Sequence, residues 1–203
     1  KSLKLMALDS ADDFGERPLV DEVGSSTRPL ITPDGNRVVF SEKGTSKSGS
    51  KRKYRPRCFV VNFDGCGLGE LGEGYAESLW EDPATGIVWV YVARDYKPSK
   101  DAIVEGERIE RFPLDDPKRR ELVWDKTAVG ADGFGLSRDG GLMVGLFPWP
   151  DAGVVDLASG ELRRTGSGCW TGIAPDNSGV TWIFDGGHRI VSFIDRDGGE
   201  ICS

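Results

Sequence analysis

The sequence predicts an all-β fold, a β-propeller of four-stranded antiparallel blades. Three observations carry that reading. Short runs rich in β-branched and aromatic residues alternate with turns of Gly, Pro and Asp. One hairpin design, Leu30-Ile-Thr-Pro-Asp-Gly-Asn-Arg-Val-Val-Phe-Ser41, returns at Phe134–Gly145 and at Gly172–Phe184, with a longer-turned copy at Ser78–Val92. Successive copies begin roughly 40 to 55 residues apart, the period of propeller blades. The 28 glycines and 11 prolines, against 38% hydrophobic residues, suit many short strands rather than a helical bundle. No stretch has helical periodicity, so helix is expected to stay below about 10%.

Taken in order, Lys4-Leu-Met-Ala-Leu8 and Arg17-Pro-Leu-Val20 form a loose first hairpin, a half blade over residues 1–24. A second hairpin type then alternates with the first. Its copies are Cys58–Phe63 with Leu68–Leu71, Arg108–Phe112 with Glu121–Trp124, Gly153–Leu157 with Glu161–Arg164, and Arg189–Ile194 with Glu200–Cys202. Gly and Asp in the intervening turns support each assignment. Four whole blades follow the half blade, at residues 28–74, 75–130, 131–168 and 169–203, and the whole of 1–203 reads as one propeller domain. Two longer connections, Glu42–Arg57 and Ala93–Glu107, interrupt blades one and two; the first is rich in Ser, Gly and Lys and is expected to be mobile. Two outer strands at the start have no matching inner pair after residue 203, which predicts either a further C-terminal segment or an open arc. The chain opens on Lys1 and shows no secretory signal, so a removed leader or an excised segment is expected.

A formal charge of -7 argues against general nucleic-acid binding. No apolar run is long enough to span a bilayer, so no membrane insertion is expected. Cys58, Cys66, Cys169 and Cys202 lack metal-ligand spacing and have no histidine nearby. Cys58 and Cys66 would stand roughly 20 Å apart at two ends of a strand, too far for a disulfide. Unpaired thiols in or near packed sheet are expected, with no metal and no cofactor.

The turn Pro33-Asp34-Gly35 followed by Arg37-Val-Val-Phe-Ser41 resembles the repeat of TolB-like β-propellers. The hairpin ending Asn62-Phe-Asp-Gly-Cys-Gly-Leu68 resembles the Asp-Gly-x-Gly-Leu ending of the same repeat. Ser137-Arg-Asp-Gly140 departs from it by lacking the proline, and Asp176-Asn177 replaces Asp-Gly. The chain also resembles the propeller half of the prolyl oligopeptidases, without any Gly-x-Ser-x-Gly nucleophile elbow. What the TolB resemblance implies is a bacterial, periplasmic or extracellular scaffold for protein partners. The multi-histidine metal centre of TolB-like pectate-degrading lyases cannot be built here, because His188 is the only histidine.

Asp34, Asp139 and Asp176 read as turn builders whose carboxylates accept backbone N–H bonds. Thr181-Trp182 after Asp176 and Gly179 resembles the Asp-box of sialidase-type propellers with one residue too many, and reads as a turn and a buried strand. In a blade, the connections between the second and third strands lie on the opposite face from those between the first and second. That face gathers the basic run Lys51–Arg57, Phe147–Asp151, Gly168–Thr171 and Asp185–His188. Loops on a rigid scaffold are where binding residues sit. The candidate binding residues are therefore Arg55, Arg57, Trp149, Asp151, Trp170 and His188, with no catalytic or metal-binding residue. Trp149 and Trp170 are expected to be exposed anchors, and Trp89, Trp124 and Trp182 to be core. The function expected is non-catalytic recognition of a protein or peptide at this channel-mouth face, with carbohydrate as a possible ligand. The alternative is a glycosidase-like enzyme using carboxylates about 5–10 Å apart, drawn from Glu77, Asp132 and Asp151. A third reading is a sensor domain of a multidomain surface protein.

Overall fold

Thr32-Pro-Asp-Gly35 closes the first inner hairpin through a small hydrogen-bond set. The Thr32 hydroxyl donates to Asp34 Oδ1 (2.5 Å) and accepts from the Arg37 amide (3.0 Å), while Asp34 Oδ1 also accepts from the Asn36 amide (3.1 Å). Ser137 and Asp139 repeat the set in the third inner hairpin, at 2.6 Å between their side chains and 2.9 Å from the Leu142 amide. The missing proline therefore costs that turn nothing essential. Gly35 (φ +75°) occupies the left-handed position that a Cβ would strain, and Asn177 (φ +62°) serves in the fourth.

The computed structural model describes residues 4–21, 26–42, 45–48, 51–98, 104–131 and 133–203. Strands β1 (Met6–Ala7) and β2 (Arg17–Pro18) pair antiparallel around a three-residue 3-10 turn, Ser10–Asp12, the one helical element among the described residues. The first four-stranded blade begins with β3 (Ser26–Ile31) and β4 (Arg37–Glu42). A hairpin of β5 (Thr45–Ser48) and β6 (Lys51–Tyr54) follows, where an irregular connection was expected. The blade ends with β7 (Arg57–Asn62) and β8 (Gly69–Glu73), in spatial order β3-β4-β7-β8.

The second blade starts with β9 (Tyr75–Glu81) and β10 (Val88–Arg94). Its long connection carries β11 (Lys97–Pro98) and β12 (Val104–Gly106), and then β13 (Arg108–Pro113) and β14 (Glu121–Trp124) complete the sheet. Next, β15 (Val129–Gly130) pairs with β12, so the expected interruption is itself a small three-stranded sheet. The third blade is β16 (Gly135–Leu136), β17 (Leu142–Leu146), β18 (Asp151–Asp156) and β19 (Glu161–Ser167). The fourth is β20 (Cys169–Ile173), β21 (Thr181–Phe184), β22 (Val191–Ile194) and β23 (Glu200–Cys202). Each blade is an antiparallel meander running from its first strand to its last.

The second strands explain how the blades stack. Val38, Val39 and Phe40 are all buried because β4 is covered on both faces: Val38 and Phe40 meet Leu5, Ala7, Leu19 and Val20, while Val39 meets Ala76, Val90 and Val92. Tyr91 and Ala93 in turn pack on Val129 of β15 and on Phe134 and Met143 of the third repeat. Leu146 and Ala152 pack on Ile183 and Ile194 of the fourth. In β21 the burial alternates, buried for Thr181 and Ile183, partial for Trp182 and Phe184. Trp182 is thus half-buried rather than core, because among the described residues no further sheet covers its face; its ring lies over Gly172, where a Cβ would come within 2.2 Å. The four cysteines are free, Cys58 buried but Cys66 and Cys202 exposed, so only part of the set lies in packed sheet.

Candidate functional site

The inner strands of the first, second and fourth blades share an irregularity that positions side chains. Pairing of β3 with β4 jumps between Thr27 and Leu30, that of β9 with β10 between Ala76 and Ser78, and that of β20 with β21 between Cys169 and Gly172. Each jump is a bulge with one extra residue, a device that re-aims a side chain out of the ladder. Counting four back from the equivalent turn positions Thr32 and Ala174 gives Arg28 and Trp170, both with positive φ (+53° and +47°). For large side chains that backbone region is strained and is held in place by the surroundings.

The bulge of β20 turns Trp170 outward, 49% exposed. Its indole stacks on the His188 ring at 4.5 Å between centroids and 25° between planes, and meets Phe184 edge-on at 5.9 Å. His188 also has positive φ (+54°), set by the connection from β21 to β22. There Asp185 accepts hydrogen bonds from the amides of Ile190 (2.9 Å), Arg189 (2.7 Å) and Gly187 (3.0 Å). Those amides hold the Asp185 carboxyl below the ordinary carboxylate range. Trp149, in the connection from β17 to β18, is 37% exposed, and its Nε1 lies 3.5 Å from Cys169 Sγ. The Gly168 amide donates to the Pro150 carbonyl at 2.8 Å, tying that connection to the start of β20.

Trp149, Cys169, Trp170 and His188 therefore form one continuous strip across two blades. Asp151 begins β18 beside it and is ion-paired with Arg164. Among the described residues, no hydrogen bond, ion pair or ring contact joins Arg55 or Arg57 to the strip. Arg57 instead pairs with Glu70 on the neighbouring strand, Nε to Oε1 at 2.8 Å, and lies over the Phe59 ring; Glu70 raises its pKa. Arg55 is exposed ahead of β7. The side chains of Lys51–Tyr54 lie outside the described residues, as does Asp132.

Sequence reasoning named Glu77 only as a glycosidase carboxylate and missed Arg28, the bulge residue that pairs with it. Arg28 reaches across three repeats: its Nη1 pairs with Glu77 Oε2 at 3.0 Å, it also donates to the Ala131 carbonyl, and its Nη2 donates to the Glu77 carbonyl at 3.2 Å. Glu77 is 1% exposed, a position no spacing rule marks. Arg28 and Trp170 share an offset of four residues from the following turn position, but Glu77 in the second bulge does not. Among the described residues, no group of three or more His, Cys, Asp or Glu is placed to hold a metal ion. No described helix is long and apolar enough to cross a membrane.

No family model and no curated protein matches the chain. Solved structures do. An oligogalacturonate lyase in complex with manganese aligns with 94% of this chain at a TM-score of 0.58 and 15% identity. A prolyl endopeptidase aligns with 95% of it at 0.52 and 15%. The fold is a β-propeller. At such identities the likeness reaches no further than the fold. The chain spans 52% of the lyase and 32% of the peptidase. A putative TolB from Agrobacterium tumefaciens also aligns, over 91% of this chain and 82% of its own at 12% identity and a TM-score of 0.47.

Proposed function

We propose that this propeller is a non-catalytic binding module that recognises a protein or peptide at the face carrying Trp149, Trp170 and His188. The observation that carries the reading is the stacked pair Trp170–His188, two exposed rings each held at positive φ. Strain at two residues that touch one another is retained where the arrangement itself is used. Rigid exposed aromatics are efficient anchors for peptide side chains, because little rotamer freedom is lost on binding. The neighbouring Asp151–Arg164 pair supplies polar groups at the border of the strip. We read residues 1–203 as one propeller domain working outside the cytoplasm, by the repeat resemblance at residues 30–41 and 58–71.

The glycosidase alternative requires two carboxylates facing an open pocket. Glu77 is enclosed and ion-paired with Arg28, and Asp151 is engaged by Arg164, so neither favours it. The test is selection from a random peptide library displayed on phage, followed by calorimetric titration of the enriched peptide. Trp170→Ala and Trp149→Ala should each weaken binding by about 1–3 kcal/mol. An enriched peptide that binds both variants as tightly as the parent protein would refute the assignment.

A further inference from the structure

A basic ribbon leaves the first blade and belongs to none of the blade sheets. Strands β5 (Thr45–Ser48) and β6 (Lys51–Tyr54) pair antiparallel, Thr45 opposite Tyr54 and Lys47 opposite Arg52. Among the described residues, neither pairs with a third strand. The ribbon is inserted between the second and third strands of the blade, starting from the paired residues Glu42 and Arg57. Buried Pro56 fixes its root, where the proline carbonyl accepts the Gly74 amide at 2.9 Å. Each strand therefore keeps one edge whose backbone N–H and C=O groups lie outside the ladder, the template for a further strand.

Charge on this ribbon runs against that of the rest of the chain. Residues 43–57 carry seven cations and no carboxylate, in a chain whose net charge is -7. The carboxylates that meet this segment sit at its root: Glu70 pairs with Arg57, and Glu42 lies within electrostatic reach of the same arginine. Arg57 is therefore engaged and is not part of the candidate edge. Successive residues of a strand alternate between its two faces, so the run Lys51-Arg52-Lys53 gives each face of β6 a cation. Such an edge discourages apolar strands and, by like charge, rejects a basic strand or the β6 of a second copy.

We propose that β6 is a docking edge for an extended acidic peptide segment, which adds to the ribbon as a third strand. Main-chain hydrogen bonds along the open edge supply affinity. Acidic residues at alternate positions of the added strand, opposite Lys51 and Lys53 or opposite Arg52, supply selectivity. An extended peptide matches this edge because it presents backbone donors and acceptors in turn, whereas a phosphate backbone offers acceptors alone. The net negative charge of the chain also repels a long polyanion running past the ribbon. A ribbon already paired and anchored at Glu42 and Arg57 lowers the ordering cost of binding. The edge shares no residue with the Trp149–Trp170–His188 strip, so the two sites can be tested separately.

The probe is a fluorescein-labelled Thr-Glu-Val-Glu-Val-Glu-Thr amide, titrated with the full chain by fluorescence anisotropy. It should bind at least about tenfold more tightly than its Lys-for-Glu counterpart, with affinity falling as salt rises. A counterpart N-methylated at every residue keeps the charge but has no amide donor, and should bind at least about tenfold more weakly than the parent peptide. Arg52→Glu and Lys53→Glu should each weaken binding of the acidic peptide by about three- to tenfold. Neither residue lies in a blade sheet, so both variants should keep the parent Tm. Trp170→Ala should leave the affinity unchanged. Equal binding of the basic or the N-methylated peptide, insensitivity to both charge reversals, loss of binding in Trp170→Ala, or tighter binding of an oligothymidylate of equal charge would overturn the proposal.

Discussion

Asp34 accepts hydrogen bonds from the Thr32 hydroxyl, the Asn36 amide and the Asn36 side chain, and these donors hold its pKa at about 2. The ordinary value is 3.8, so the folded value is the lower one. Ionisation of Asp34 therefore stabilises the fold above the unfolded pKa, and that contribution is lost as pH falls through the folded value. Asp82, Asp139, Asp156 and Asp176 are lowered for the same kind of reason, by side-chain and amide donors in their own turns. The Tm should stay nearly flat from neutral pH to about 5 and drop steadily below about 4, as scanning calorimetry would show. A carbon-detected NMR titration should find the Asp34 midpoint near 2. Cysteine reactivity separates by the same local physics. Burial pushes the Cys58 thiol up to about 12, whereas Cys66 and Cys202 are exposed. Mass spectrometry after brief iodoacetamide treatment should find Cys66 and Cys202 alkylated and Cys58 intact until the protein is denatured.

The element that most controls the candidate site is the bulged start of an inner strand. In β20 the extra residue frees Trp170 from the ladder, and Gly168 just before it makes the approach to β21 possible. A Cβ on Gly168 would stand 1.9 Å from the Phe184 carbonyl oxygen, a backbone atom that cannot swing aside. Gly168→Ala should therefore destabilise the protein by about 2–4 kcal/mol in urea unfolding and disturb the Trp170–His188 stack. Near-parent stability in that variant would mean that the strand start is looser than its geometry implies. The hairpin turns were legible from the sequence because Thr32-Pro-Asp-Gly35 and Ser137-Arg-Asp-Gly140 carry their own hydrogen-bond partners. The bulges were not, since a bulge is defined against the partner strand.

Among the described residues, stacked apolar faces join the repeats, and the ion pair of half-buried Arg28 with buried Glu77 spans them. Arg28 from the first repeat binds Glu77 of the second and the carbonyl of Ala131 at the start of the third. Arg28→Ala should cost about 3–5 kcal/mol, because it removes the cation paired with a buried carboxylate. A double-mutant cycle with Glu77→Ala should return a coupling of about 1–3 kcal/mol, and additive losses would remove the pair from the account. By itself, the sequence determined the all-β class, the blade repeat and the turn chemistry, because strand alternation and Asx turns depend on neighbours a few residues away. It also placed Trp149, Trp170 and His188 on one face, since an antiparallel meander alternates its connections between two ends. Only the tertiary structure decided that Trp170 stacks on His188, that Arg57 is held by Glu70, and that Arg28 reaches Glu77 and Ala131. Those outcomes depend on register, on bulges and on the approach of residues as far apart as Arg28 and Ala131, which local pattern does not encode.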